Sequence, residues 1–188
     1  MGLLLYTGFS ILLSKGSNSL YGADLAPPDT IEAYYIELDG VLRDMGEECL
    51  YGVTIKVYKD SALYLTCKSK HTGKNSLKLP LDHQYTLVFS KPGYVSKKIS
   101  INAQVPLSRR KDYKFLYSIY LFESIESFDI CEIERPVAYV VFNGMNRFGY
   151  DQEYTSWINR DMEKQYKSYY TELANSKAKA LKKVKKTF

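Results

Sequence analysis

From residue 31 onward the chain alternates between apolar and polar positions with a period of two. Tyr34, Ile36, Leu38 and Leu42 fall on one side of an extended segment, and Glu32, Glu37 and Asp39 fall mostly on the other. The beat returns in Val53, Ile55 and Val57, in Leu63, Leu65 and Cys67, and in Leu77, Leu79 and Leu81. It continues through Tyr85, Leu87 and Phe89, through Ile99, Ile101, Ala103 and Val105, and through Phe115, Tyr117, Ile119 and Leu121. Successive side chains of a strand point to opposite faces, so each run buries one face only. Seven such runs, separated by turns at roughly ten-residue spacing, predict a mainly β, seven-stranded antiparallel sandwich. The connections are too short for crossover helices, which excludes a parallel sheet built that way.

The separators are polar turns at residues 59–61, 70–74 and 81–84. A further separator, within FSKPGYVSKKI at residues 89–99, raises a choice between a lysine-rich ligand site and a plain turn. Pro92 supplies the φ wanted at the first central position of a type II turn, and Gly93 the positive φ wanted at the second. The residues therefore predict a structural turn at Pro92 and Gly93.

Alternation stops near Phe122, and an acidic stretch follows with Glu123, Glu126, Asp129, Glu132 and Glu134. Residues 137–142 look like one more short strand, ended by the turn signal Asn143-Gly144. From Asp151 the period changes. Tyr154, Trp157, Ile158, Met162, Tyr166, Tyr169, Leu173 and Ala174 recur at intervals of three and four, the stripe of an amphipathic helix. Asp151 suits the N-cap. No Pro or Gly follows Gly149, so the helix is expected to reach about Val184, a length on the order of 50 Å. Its first half should pack on the sandwich, with Trp157 as the largest buried member, and its second half should project.

The ends change the picture further. Residues 3–13 are an apolar run too short to span a bilayer as a helix, followed by small and polar residues. Residues 1–23 are thus expected to be a signal peptide cleaved around residues 22–24, against the competing reading of an N-terminal strand or buried helix. The expected divisions are then a sandwich at 31–123, a connecting segment with a short strand at 124–150, and the helix at 151–186. The net charge of +5 is concentrated in Lys177, Lys179, Lys182, Lys183, Lys185 and Lys186, with no acidic residue among them. The rest of the chain is close to neutral.

Candidate chemistry is sparse. Cys49, Cys67 and Cys131 form no CxxC pair, and His71 and His83 are the two histidines, so neither a metal site nor a cofactor is expected. No nucleophile elbow, zinc-protease helix or phosphate-cradling glycine loop occurs, so no catalytic residue is assigned and no enzyme is expected. The 18 tyrosines of the chain suit half-buried strand positions, where the ring packs while the hydroxyl stays wet. Tyr58, Tyr64 and Tyr120 fall on outward positions. They could stack on sugar rings, or simply pack across strands.

The segments LDGVLRD at residues 38–44, GVTIKVY at 52–58 and YTLVFSKPGYVSKKISI at 85–101 resemble the carboxypeptidase-regulatory-like, transthyretin-like β-sandwich. The resemblance covers roughly residues 31–122 and is similar to versions in secreted and outer-membrane-associated proteins of gliding, type IX secretion Gram-negative bacteria. There the segment after the sandwich looks like Arg135-Pro136-Val137-Ala138 and Phe148-Gly149-Tyr150-Asp151. One departure is the turn at residues 70–76, where that family often has an acidic Thr-Asp-x-x-Gly-x-Phe. The resemblance implies an accessory or interaction module of the periplasm or outer membrane, with a protein partner in the envelope. Two other readings stand beside it: a carbohydrate-binding module using the outward tyrosines, and a basic helix that binds an anionic membrane or polymer. Nucleic acid is not an expected partner of an exported protein.

Overall fold

The computed structural model describes residues 34–124 and 135–185. The expected signal peptide at residues 1–23 and the acidic core of the connecting segment lie outside them. Two sheets face each other. The smaller is ordered β4 (Lys74–Pro80), β1 (Tyr35–Asp44), β7 (Tyr113–Leu121). The larger is ordered β3 (Ala62–Lys68), β2 (Thr54–Lys59), β5 (Gln84–Ser90), β6 (Lys97–Asn102), β8 (Ala138–Asn143), β9 (Arg147–Tyr150). The helix α1 (Gln152–Lys185) follows all the strands.

The period-two runs become the walls of one core. Ile36, Leu38 and Leu42 of β1, Leu77 and Leu79 of β4, and Phe115, Tyr117 and Ile119 of β7 point inward from one sheet. Ile55 and Val57 of β2, Tyr85, Leu87 and Phe89 of β5, and Ile99 and Ile101 of β6 meet them from the other. Each buried aliphatic or aromatic side chain contributes about 1.5–3 kcal/mol of transfer free energy, which is what drives the two sheets together.

Two pairings are parallel, β1 with β7 and β6 with β8, where the alternation alone suggests an antiparallel arrangement throughout. No crossover helix is needed, because each partner is reached by passing between the sheets. The chain leaves β6, crosses by a 3-10 turn at Leu107–Arg109 and returns beside β1 as β7. It then crosses back to the open side of β6 as β8.

The third run departs from its expected face. Leu63 is 58% exposed, and Leu65 and Cys67 are only half-buried. The register between β2 and β3 shifts between Val57 and Tyr58, so that Val57 faces Leu65 while Tyr58 faces Leu63. This one-residue bulge on an edge strand breaks the alternation that the sequence displays. Beyond the expected short strand, the turn at residues 143–146 folds back into β9. The Asn143 side-chain oxygen accepts the Met145 N–H at 3.0 Å, and Asn146 takes a left-handed φ of 55°. Phe148 of β9 then packs edge-on against Tyr113.

Candidate interaction surfaces

The seat of the helix begins at the Pro-Gly turn. The Tyr94 N–H donates to the Lys91 carbonyl at 3.0 Å, and Gly93 has φ +81°. The strand leaving β7 is laced to this turn: Val95 N–H donates to Phe122 O at 2.9 Å and Ser124 N–H to Gly93 O at 2.8 Å. The turn thereby brings Val95 and Phe122 side by side. Ile158, Met162 and Tyr169 of α1 bury against these two, with Tyr169 and Phe122 ring centroids 4.7 Å apart. Lys97, at the start of β6, is also buried there, its amine 5.0 Å from the Phe122 ring centroid. Burial pushes the Lys97 amine down to about 8.

The entry of the helix is fixed by Asp151. Its carboxylate accepts the Tyr154 N–H at 2.9 Å, and its carbonyl accepts the Thr155 hydroxyl at 2.6 Å. The Tyr154 hydroxyl donates to Pro136 O at 2.6 Å, tying the first turn to the segment that enters β8. Trp157 does not bury as the stripe predicts: it is 41% exposed, its ring lying against Tyr154 on one side and 5.0 Å from the Arg135 guanidinium. The stripe that packs is Ile158, Met162 and Tyr169, and Trp157 sits one position around the helix from it.

Past Leu173 the helix carries exposed side chains, among them Lys177, Lys179 and Lys182. The side chains of Lys183 and Lys185, and the whole of Lys186, lie outside the described residues. At 1.5 Å per residue the 34-residue helix is about 51 Å long. Among the described residues no helix is long and apolar enough to cross a membrane.

The three outward tyrosines occupy three separate places. Tyr58 is half-buried on the outer face of the larger sheet, in a depression of about 490 Å³ that it shares with Lys56, Thr86, Ser90, Ser96 and Lys98. Tyr64 lies at the β3 edge, its ring 6.4 Å from that of Tyr85 and 5.6 Å from the Lys59 amine. Tyr120 stands on the outer face of the smaller sheet. They form no common platform.

The histidines have local partners in the turns. His83 shares a hydrogen bond of 2.7 Å with Asp60, whose carboxylate also accepts the Gln84 N–H at 3.0 Å. These two bonds, the backbone one foremost, hold the Asp60 carboxyl below its ordinary range. His71 stacks on Tyr51 with centroids 5.4 Å apart. A second depression, of about 610 Å³, crosses the smaller sheet and is lined by Asp39, Val41, Ser76, Leu116, Ser118 and Tyr150 among others. Sequence reasoning singled out neither Lys97 nor the Arg135–Trp157 pair. Lys97 is in phase with Ile99 and Ile101, so the alternation places it on the buried side, but a charged residue at that position reads as lying before the start of the run.

No family model matches the chain, and no curated protein matches it in sequence. Solved structures with a similar arrangement of strands include wild-type catechol 1,2-dioxygenase from Acinetobacter radioresistens, 12% identical over 57% of this chain and 58% of that one, with a TM-score of 0.42. Others are the Bacillus anthracis TIE protein, 15% identical over 48% of this chain and 17% of that one (TM-score 0.40), and the shaft pilin spaA from Lactobacillus rhamnosus GG, 16% identical over 50% and 47% (TM-score 0.36). The chain spans less than two thirds of the length of each.

Proposed function

We propose that the chain is a non-catalytic interaction module of the bacterial envelope, with a transthyretin-like sandwich as platform and α1 as docking arm. One observation carries this reading: the helix is packed as far as Leu173, and the side chains described beyond it are exposed. Ile158, Met162 and Tyr169 are buried, whereas Lys177, Lys179 and Lys182 are exposed. A helical segment without tertiary packing is marginal in water, so a long basic extension is best explained by something that receives it. The envelope placement rests on the apolar run at residues 3–13 and on the resemblance of residues 31–122. The partner is an envelope protein that presents an acidic or amphipathic surface to the arm.

The test compares the full chain with a chain truncated after Ala174, both expressed in the native envelope. Co-purification of one defined partner with the full chain, lost on truncation and weakened by salt, is the expected result. Equal recovery of that partner with both chains would sink the docking-arm reading.

A second reading has its own observation. The depression around Tyr58 combines one aromatic ring with Thr86, Ser90 and two lysines on an open sheet face, a composition suited to an acidic polysaccharide. Tyr58→Ala should then abolish retention on such a polymer while leaving the partner of the arm in place.

A further inference from the structure

The 610 Å³ depression on the smaller sheet is built from three strands in register. β4 lends residues 74–76, β1 residues 39–41 and β7 residues 116–118, with Asn75 and Tyr117 paired on either side of Gly40. The depression therefore runs across the strands, about 10 Å from β4 to β7 at the usual strand spacing. The Asn75 and Tyr117 side chains are buried on the inner face, so the floor is backbone already paired in the sheet. Alternation sends the walls outward: Ser76, Asp39 and Leu116 stand in one row, and Lys74, Val41 and Ser118 in the next. Two residues from outside the sheet complete the groove. Tyr150 of β9 stands beside β7, held edge-on by Phe115 at 5.3 Å with 36% of its surface in water. Lys70, in the turn before β4, donates its backbone N–H to Lys74 O at 2.9 Å.

The charges in the groove are not balanced. Asp39 is engaged by Lys114 at 2.6 Å, and that bond, with one from Ser76, holds its carboxyl below its ordinary range. Among the described residues no carboxylate lies within ion-pair distance of Lys70 or Lys74. One end thus presents two uncompensated cations and the other an aromatic ring, with the Asp39 carboxylate and the Ser118 hydroxyl between them. We propose that this groove binds a short stretch of acidic glycan, with the carboxylate of one sugar unit at Lys70 and Lys74 and the ring of the next against Tyr150. A peptide strand would take main-chain hydrogen bonds along a sheet edge, whereas this floor is already paired and the groove runs at right angles to the strands. An acyl chain would find only Val41, Leu116 and Tyr150 apolar. Sugar hydroxyls suit Ser118 and an ionised Asp39, a carboxylate suits two lysines, and the volume is that of a small-molecule site. The groove lies on the opposite sheet from Tyr58 and rests neither on the reading given to that depression nor on the docking arm.

The experiment titrates trigalacturonate and its methyl ester into the full chain, by calorimetry up to about 10 mM. The acid should bind, and the uncharged ester should bind roughly tenfold more weakly or worse. Lys70→Ala with Lys74→Ala should weaken the acid by a similar factor, and Ser118→Glu, which sets a carboxylate in the wall, should abolish its binding. Tyr58→Ala should leave it unchanged. These wall positions are exposed, and unchanged melting of each variant shows that folding is not the cause. A wild-type chain that binds neither sugar would overturn the proposal, and so would equal binding of acid and ester or indifference to the double lysine change. Loss of binding in Tyr58→Ala but not in Ser118→Glu would place the sugar on the other sheet and overturn this site. Tighter binding of tetraglutamate than of trigalacturonate would overturn the choice of a sugar.

Discussion

The ring of Tyr117 occupies the space that a side chain on Gly40 would need. A Cβ built on Gly40 falls 2.2 Å from the Tyr117 Cζ, well inside any contact that real atoms make. The two residues are register partners on β1 and β7, and the missing side chain lets the ring lie flat across β1. From there the Tyr117 hydroxyl donates to the Asn75 side-chain oxygen on β4 at 2.5 Å, so one ring spans the whole smaller sheet. Burial raises the Tyr117 phenol well above its ordinary value and keeps it a donor.

Gly40→Ala should therefore destabilise the fold by about 1–3 kcal/mol, the usual cost of overpacking a filled core. Tyr117→Phe keeps the ring and loses only the hydrogen bond to Asn75, for about 1–2 kcal/mol. Chemical denaturation measures both. An alanine variant as stable as wild type would mean that the ring does not lie on Gly40.

The Pro-Gly turn makes a second, opposed pair of expectations. Gly93 has φ +81° with open space around it, so the objection to a side chain is conformational and not steric. Gly93→Val should cost on the order of 1–3 kcal/mol and should loosen α1 as well, since the turn holds Val95 and Phe122 in the helix seat. Lys91 reaches across to the Tyr51 carbonyl at 2.9 Å from an exposed position. Lys91→Ala should change stability by no more than about 0.5 kcal/mol. Thermal melts of the two variants decide the matter, and a reversed order would make the lysine, and not the turn, the important feature.

Much of this architecture is legible in the sequence, for definite reasons. Strand faces follow in central and edge runs alike wherever the pairing is regular: Ile55, Leu87, Ile99, Leu79 and Ile119 are all buried as the alternation requires. Leu63 is not, because a bulge is a property of the pairing between two strands and leaves no mark on one of them. β9 escapes notice because four residues are too few to display a period. Trp157 lies at the margin of the helical stripe, where one step of about 100° separates a buried position from an exposed one. The scattering of Tyr58, Tyr64 and Tyr120 depends on which sheet each strand joins, information that alternation does not carry.

Lys97 gives a pH dependence of definite sign. An unfolded lysine titrates near 10.5, whereas burial holds this one at about 8. Between those values the unfolded chain binds more protons than the folded one, so stability rises as pH rises through that window. Below about 8 the cost of charging the buried amine is fully present. Melting temperatures taken from about pH 7 to 10.5 should show this rise in wild type, and a flatter profile in Lys97→Met. Parallel profiles for the two proteins would show that the amine is solvated in the native state.

The helix supplies the last expectation, and it separates three residues that one stripe would treat alike. Ile158 is 1% exposed against Val95 and Phe122, so Ile158→Ala should cost about 2–5 kcal/mol and release the helix from the sandwich. Trp157 keeps 41% of its surface in water and packs on Tyr154 and Arg135. Trp157→Ala should cost less, about 1–2 kcal/mol, because a half-exposed ring has less to lose. Its native fluorescence should be that of a partly solvated indole, and it should shift when Arg135→Ala removes the cation beside it. Truncation after Ala174 removes only residues beyond the seat and should leave the melting temperature nearly unchanged. If truncation destabilised the fold as much as Ile158→Ala, the distal helix would be part of the packed body, and its lysines would no longer be free to act as an arm.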